Sequence, residues 1–470
     1  MPHVTIVWFR NDLRLDDQPS LRAAVARGTV VPLFIHAPEE EAPWEPGAAS
    51  RWWLHGALEQ FAAALAEKGA PLLIRRGPSL ETLRAVAREY GATHVAWNRR
   101  YEPAVIGRDT LIKEALKREG LVAESFNGGQ LFEPVHVATK EGKPYQVFTP
   151  FWRALLNRDE PAEPEAAPAK IAAAKPVGKT TKSVAIAELG LLPAIDWAVG
   201  MRERWTPGEA AAADRLDRFL EHVDRYDTER DRPDHDGTSA LSPHLHFGEI
   251  SPRRVWHAVR KAVGGRPAAQ IERGGAETYL RELGWREFAT HLLYHFPHTA
   301  ERPLRSDYER FPWVDDPAGL RAWQRGQTGY PVVDAGMRQL WQTGWMHNRV
   351  RMIAASFLIK HLLIDWREGE RWFWDTLVDA DYGSNAVNWQ WSAGSGVDSN
   401  MFVRIMAPLT QSPKFEAADY IRRWVPELAH LGNDAVHDPP IPPRGYPAKI
   451  VPHAEARARA LAAFAEMRDN

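Results

Sequence analysis

The stretch SNAVNWQWSAGSG, Ser384 to Gly396, sets Trp389 and Trp391 on either side of Gln390 among small and polar residues. A core segment would surround two indoles with aliphatic side chains, so this composition points to work other than packing. Just upstream, DADYGSN places Asp379 and Asp381 two apart and Asn385 four before Trp389. Such an acidic pair can bind a metal, accept from ribose hydroxyls or pair with an arginine, for which Arg351 is the candidate.

Three further clusters carry chemistry. In GWMHNRVRM, Trp345, Asn348 and Met352 have the spacing of one helix face, flanked by Arg349 and Arg351. An indole, an amide and a thioether replace the Leu or Ile of a core face. This marks either a site wall or a boundary between surface and core. In YLRELGWREF, Glu282 and Trp285 share a face, so the carboxyl is either a surface group or one poised by partial burial to donate. In DGTSALSPHLHFGEIS, Thr238, Ser239 and Ser242 precede a helix start, which suits a phosphate or ordinary turn capping. His244 and His246 alternate there, but no further ligand clusters with them and no metal is assigned.

The elements that must position these residues fall into two halves. Up to about residue 130, short β-branched runs such as VTIVWF, VVPLFIH and THVAW alternate with helical stretches, with Gly28, Gly69, Gly91 and Gly120 at the helix ends. This predicts a doubly wound parallel α/β sheet. RNDLRLDDQPS follows the first strand in place of a glycine-rich dinucleotide fingerprint. Residues 158 to about 200 are rich in Pro, Ala and charge and read as a long connection. From Pro207 onward only helical periodicity is visible. The expected division is 1–132, 133–205 and 206–470.

The 470 residues include 20 Trp and no Cys, with net charge −2. The absence of Cys excludes disulfides, thiolate nucleophiles and cysteine-ligated clusters. The charge excludes a wholly basic nucleic-acid binder but not a local basic patch. So many Trp signal a large aromatic core, or a chain that handles light, electrons or stacked bases. MPHVTIVWFRND lacks the features of a secretory signal, and MIAASFLIKHLLIDW is too interrupted by charge to span a membrane. A cytoplasmic, nucleoid-associated monomer with no membrane contact is expected.

Taken together, these segments resemble the DNA photolyase/cryptochrome family. VWFRNDLRLDDQPSL is similar to its N-terminal signature, GTSALSPHLHFGEIS to its flavin-phosphate segment and LRELGWREF to its lesion-pocket helix. The run from Gly329 to Gly396 is similar to its flavin-binding core. The resemblance implies an α/β domain followed by an all-helical domain holding FAD. It implies that Tyr226, Thr238, Ser239, Leu241, Ser242, Asn348, Arg351, Asp379, Asp381 and Asn385 line the flavin. Trp389, Trp366 and Trp313 correspond to the family's electron-carrying tryptophan chain, and Trp391 faces the lesion.

The resemblance is strongest to cyclobutane pyrimidine dimer photolyases of the bacterial, plant-cryptochrome-like branch. A flipped dimer requires an aromatic clamp, here Trp285 and Trp391, with Met352 packed on it. Glu282, Asn348 and Arg349 would bind the thymine carbonyls, where negative charge develops. Arg230 and Arg404 would contact DNA phosphates. The alternatives are a blue-light photoreceptor without repair and a six-four photolyase. Six-four photolyases use a histidine pair in the pocket, and plant cryptochromes typically carry Asp at the positions of Asn348 and Asn385. The chain departs from common family residues at Ala240, at Gly284 and in MFVRIMAP. RRYEPAVIG lacks the acidic residue some folate-binding members use, yet a methenyltetrahydrofolate antenna is favoured over a deazaflavin.

Overall fold

The computed structural model describes residues 3–178, 180–397 and 402–469. The β-branched runs form β1 (His3–Phe9), β2 (Gly28–His36), β3 (Leu73–Arg76), β4 (His94–Asn98) and β5 (Val122–Phe126). They make one parallel sheet in the order β3-β2-β1-β4-β5. Helices α1 (Pro19–Arg27), α2 (Ala48–Glu67), α3 (Ser79–Tyr90) and α4 (Pro103–Arg118) connect the strands. With both faces covered, strand residues are apolar without alternation: Thr5 to Phe9 are all buried. Gly91 ends α3 at φ 60°, where a side chain would be strained, and its N–H returns to the Ala87 carbonyl.

Open α/β sheets usually bind ligands where the strand order reverses, here beyond β1 and β4. Asn11, Arg99 to Glu102 and Gly128 to Gln130, which follow β1, β4 and β5, line a cavity there, beside a buried polar network. Arg10 N donates to Asp12 Oδ1 at 2.7 Å, Asn98 Nδ2 to Asp12 Oδ2 at 2.8 Å, and Arg10 Nη1 to Asp109 Oδ2 at 2.8 Å.

The stretch expected as a connection is docked along the sheet domain. Val30 N donates to the Ala172 carbonyl at 2.8 Å, Ala174 N to that of Val30 at 2.9 Å and Val184 N to that of Ile74 at 3.0 Å. Ile171, Leu189 and Leu191 are buried in the core, and Val184, Ile186 and Trp197 pack against it, while Val177, Leu192 and Ile195 stay exposed. Before it, α5 (Phe148–Leu156) packs into the helical half, and α6 (Val199–Arg204) follows it.

The helical half begins with α7 (Glu209–Leu220), α8 (Tyr226–Glu229), α9 (Ser242–His246) and α10 (Pro252–Ala262). The long α11 (Gly275–His295) is followed by α12 (Pro317–Gln324), α13 (Pro331–Thr343) and α14 (Asn348–Ser356). A π-helical turn, Phe357–His361, continues α14. Then come α15 (Trp366–Thr376), α16 (Tyr382–Ala393), α17 (Pro408–Lys414), α18 (Ala418–Trp424) and α19 (His453–Asp469). Among the described residues no strand follows β5, and no helix is long and apolar enough to cross a membrane.

The halves are joined through the loop after β1. Arg253 Nη2 donates to Asp17 Oδ1 at 2.7 Å, Ser251 Oγ to Asp17 Oδ2 at 2.5 Å and Arg254 Nε to Asp16 Oδ2 at 2.8 Å. Glu209 accepts from Leu15 N and Asp16 N, both at 2.8 Å.

Candidate functional site

Asp379 is the hub of the polar cluster. It is buried, and its Oδ2 accepts from Ser242 Oγ at 2.6 Å and from Arg351 Nη2 at 2.8 Å. Arg351 is also fixed by Nε donating to the Met346 carbonyl at 2.7 Å. Of the partners the sequence left open for the acidic pair, arginine is the one Asp379 takes. Asp381 instead caps α16, its Oδ1 accepting from Ser384 N at 2.8 Å. Asn385, one turn on, donates Nδ2 to the Glu370 carbonyl at 3.0 Å.

The Thr238–Ser242 segment lies alongside. Ser239 Oγ accepts from Tyr279 Oη at 3.0 Å and from Leu241 N at 3.3 Å, and Leu241 is fully buried. Ala240 takes φ 48°, a left-handed backbone strained for any residue with a Cβ. Thr238 is half-buried, Ser242 is exposed, and Tyr226 is buried on Tyr279 with ring centroids 5.1 Å apart. His244 bonds Glu249 and forms no ligand set with His246.

Three buried polar atoms around this cluster have no protein partner: Asp379 Oδ1, Glu370 Oε2 and His347 Nε2. Unpaired buried polar atoms are costly and call for a partner. Burial pushes the Glu370 carboxyl well above its ordinary range and the His347 imidazole down to about 4. An acceptor carboxylate, hydroxyl donors and a fixed guanidinium are the donor set a phosphate- and hydroxyl-bearing ligand needs. The residues present therefore fit FAD.

Beside the cluster are the helix faces bearing the other predicted residues. Glu282 and Trp285 share a face of α11 as expected, half-buried and 38% exposed respectively. Arg349 and Met352 project from the first turns of α14, with Arg349 Nη1 to Met352 Sδ at 3.6 Å. Asn348 is the exposed first residue of α14. Trp345 does not share their helix face, because His347 caps α14 through Nδ1 accepting from Arg349 N at 3.3 Å. Trp345 therefore precedes the helix, buried under the Arg351 guanidinium at 5.8 Å.

Arg230, the first of the two arginines expected at DNA phosphates, donates Nη1 to Glu282 Oε1 at 2.5 Å. The next residue, Asp231, accepts from Arg349 Nε at 2.6 Å. Sequence reading missed Asp231, a partner whose long-range contact no local pattern signals. Arg404 is exposed, and its carbonyl accepts from Lys360 Nζ at 2.9 Å.

Trp389 and Trp366 are buried in one apolar cluster, with Trp313 packed on its edge. Trp389 meets Phe373 edge-on at 5.0 Å and Trp323, absent from the expected set, at 6.2 Å. Gly369 on α15 admits it: a Cβ there would lie 2.1 Å from Trp389 Cη2. Trp391, two residues on, is half-buried.

Comparison with known proteins agrees with this geometry. Residues 5–169 match the DNA photolyase family and residues 279–466 the FAD binding domain of DNA photolyase. A deoxyribodipyrimidine photo-lyase of Agrobacterium fabrum is 47% identical over 479 residues, covering 98% of both chains. Cryptochrome-1 of Arabidopsis thaliana is 39% identical, covering 98% of this chain and 70% of that protein. The solved structure of a bacterial class III photolyase from Agrobacterium tumefaciens superposes with TM-score 0.94 at 46% identity, over 100% of this chain and 98% of that one. Full-length identity of this order, together with an α/β sheet domain and a helical FAD-binding domain, means that the chain belongs to the DNA photolyase/cryptochrome family.

Proposed function

We propose that this protein is a light-driven DNA repair enzyme that splits cyclobutane pyrimidine dimers. The observation that carries the reading is the grouping of Glu282 and Trp285 on α11 with Arg349 and Met352 on α14, tied together by Arg230 and Asp231. Bound FAD, in its reduced form, supplies the electron that a dimer accepts under light. Thr238, Ser239, Leu241, Ser242, Arg351, Asp379, Asp381, Asn385 and Tyr226 would hold it, with Asn348 at its border.

The chain's own residues bind and orient the lesion. Trp285 and Trp391 offer faces to a base taken out of the stack. Arg349 and Asn348 place donors where carbonyl oxygens gain negative charge, and pre-aimed donors stabilise that charge without reorganising. Glu282 orients the base edge, and Met352 excludes water. Arg404 meets the DNA backbone. Trp389, Trp366 and Trp313 serve to reload the flavin with electrons from the surface. A repair cycle of this kind would leave no net redox change for these residues to supply. The expected setting is a monomer acting in the cytoplasm on nucleoid DNA.

A second chromophore, a folate rather than a deazaflavin, would suit the cavity between the halves. Tyr101, Glu102, His246, Asp381 and Tyr382 are among the residues that line it, beside Arg14 and Arg100, whose guanidiniums are held by protein acceptors. Asn11 and Arg99 to Glu102, which follow β1 and β4, form its wall on the side of the sheet domain.

The test is photorepair. The purified flavoprotein is reduced without oxygen, given an oligothymidylate carrying cyclobutane dimers and illuminated with blue light. Recovery of thymine absorbance is expected. No recovery from a reduced, DNA-binding flavoprotein would favour the photoreceptor or six-four reading instead.

A further inference from the structure

Gly284 directly precedes Trp285 on α11. A Cβ on Gly284 would lie 2.5 Å from Cε3 and 2.6 Å from Cζ3 of Trp152. Trp152 belongs to α5, a helix outside the predicted site. One turn earlier on α5, Phe148 lies flat against Trp285, with ring centroids 3.6 Å apart and planes 8° from parallel. Phe148 and Trp152 are themselves within 10° of parallel at 6.3 Å. The three rings form one tier, and only Trp285 reaches solvent, 38% exposed against 6% for Phe148 and 7% for Trp152.

An exposed indole on a helix surface has rotamer freedom, and ordering it on binding weakens affinity. Here one face of Trp285 is already covered, and Phe288 meets its edge at 5.9 Å. The ring plane is set before any substrate arrives, and a base can stack only on the open face. Filling the core would not by itself require a ring parallel to a half-exposed indole.

We propose that Phe148 is a positioning residue for lesion recognition. It fixes the plane of Trp285, Trp152 backs it, and Gly284 is the residue that lets α5 approach so closely. The proposal rests on the reading of Trp285 as the lesion clamp.

The test compares Phe148→Leu, which keeps apolar bulk but removes the flat face, with the unaltered flavoprotein. Binding is measured for an oligonucleotide carrying one cyclobutane dimer and for its undamaged twin, alongside flavin absorbance and Tm. The expected result is dimer affinity weakened about tenfold, with undamaged binding and flavin content unchanged. Phe148→Tyr, which keeps the ring, should restore dimer affinity. In a Trp285→Ala background Phe148→Leu should add nothing, because its effect passes through that ring. Gly284→Ala, pressing on Trp152 from the other side, gives a second variant with the same selective loss expected. Unchanged dimer affinity in Phe148→Leu and Gly284→Ala, or an undiminished effect in the Trp285→Ala background, would overturn the proposal. If Trp285→Ala alone leaves dimer affinity intact, the clamp reading fails instead.

Discussion

Arg230 and Asp231 are consecutive in the chain, and each holds a different wall of the pocket. Arg230 Nη1 donates to Glu282 Oε1 of α11 at 2.5 Å, and Asp231 Oδ1 accepts from Arg349 Nε of α14 at 2.6 Å. One short segment thus sets the distance between the Glu282 carboxylate and the Arg349 guanidinium, the two groups proposed to bind the lesion.

The pairing with Glu282 gives Arg230 a role in the pocket beside the DNA contact proposed for Arg404. Each phosphate contact adds about one unit to the slope of log affinity against log salt. Arg404→Gln is expected to lower the slope for dimer DNA by about one. Arg230→Gln should leave the slope nearly unchanged and lower the repair rate at saturating substrate, because Glu282 loses its anchor. Binding titrations across salt concentrations, with single-turnover repair, check both.

Trp285→Ala removes the exposed half of the clamp. Base stacking on an aromatic side chain contributes about 1–3 kcal/mol, so dimer binding should weaken accordingly while flavin absorbance is retained. A variant that repairs dimers at low substrate as well as the parent would refute the clamp assignment.

Gly369→Ala puts a Cβ 2.1 Å from Trp389 Cη2. Overpacking of this kind costs about 1–3 kcal/mol, and the ring or helix must move. Slower light-driven reduction of oxidised flavin is expected, with repair by chemically reduced protein largely kept. Equal loss of both would place Trp389 outside the electron route.

His347 gives a pH dependence of defined sign. Burial, with the Arg349 charge adding to it, pushes its imidazole down to about 4, and its Nδ1 must stay an acceptor to cap α14. The unfolded chain takes a proton near pH 6.5 and the folded one only near 4, so the contribution is present above about 6.5 and lost as pH falls towards 4. Tm should fall over that window, and His347→Asn, which can cap without titrating, should flatten part of the fall. An identical Tm profile in the variant would assign the fall to other groups, such as the buried His291 and His361.

The strand–helix rhythm and the later helical periodicity were legible because burial on both faces makes each parallel strand a short continuous apolar run and burial on one face gives helices a period of 3.6. Glu282 with Trp285 was legible for the same reason. Trp345 was misplaced because its spacing fits a helix that His347 prevents from starting so early, and His is not among the usual capping residues. Asp231, Phe148 and Trp323 were invisible because their contacts join residues far apart in sequence. The docking of the Pro/Ala-rich stretch was equally hidden, resting on apolar residues scattered without a period and on backbone hydrogen bonds that carry no residue signature.

That docked stretch has a consequence for how the molecule comes apart. Its backbone is bonded to Val30 and Ile74, and its side chains share a core with Trp205 and Trp345. Asp16 and Asp17 fasten the sheet domain to α10. Neither half can loosen without stripping the other, so the chain should melt in one cooperative transition. A fragment cut after residue 132 would lack the strap that covers its own flank, and aggregation is the expected fate of a sheet so uncovered.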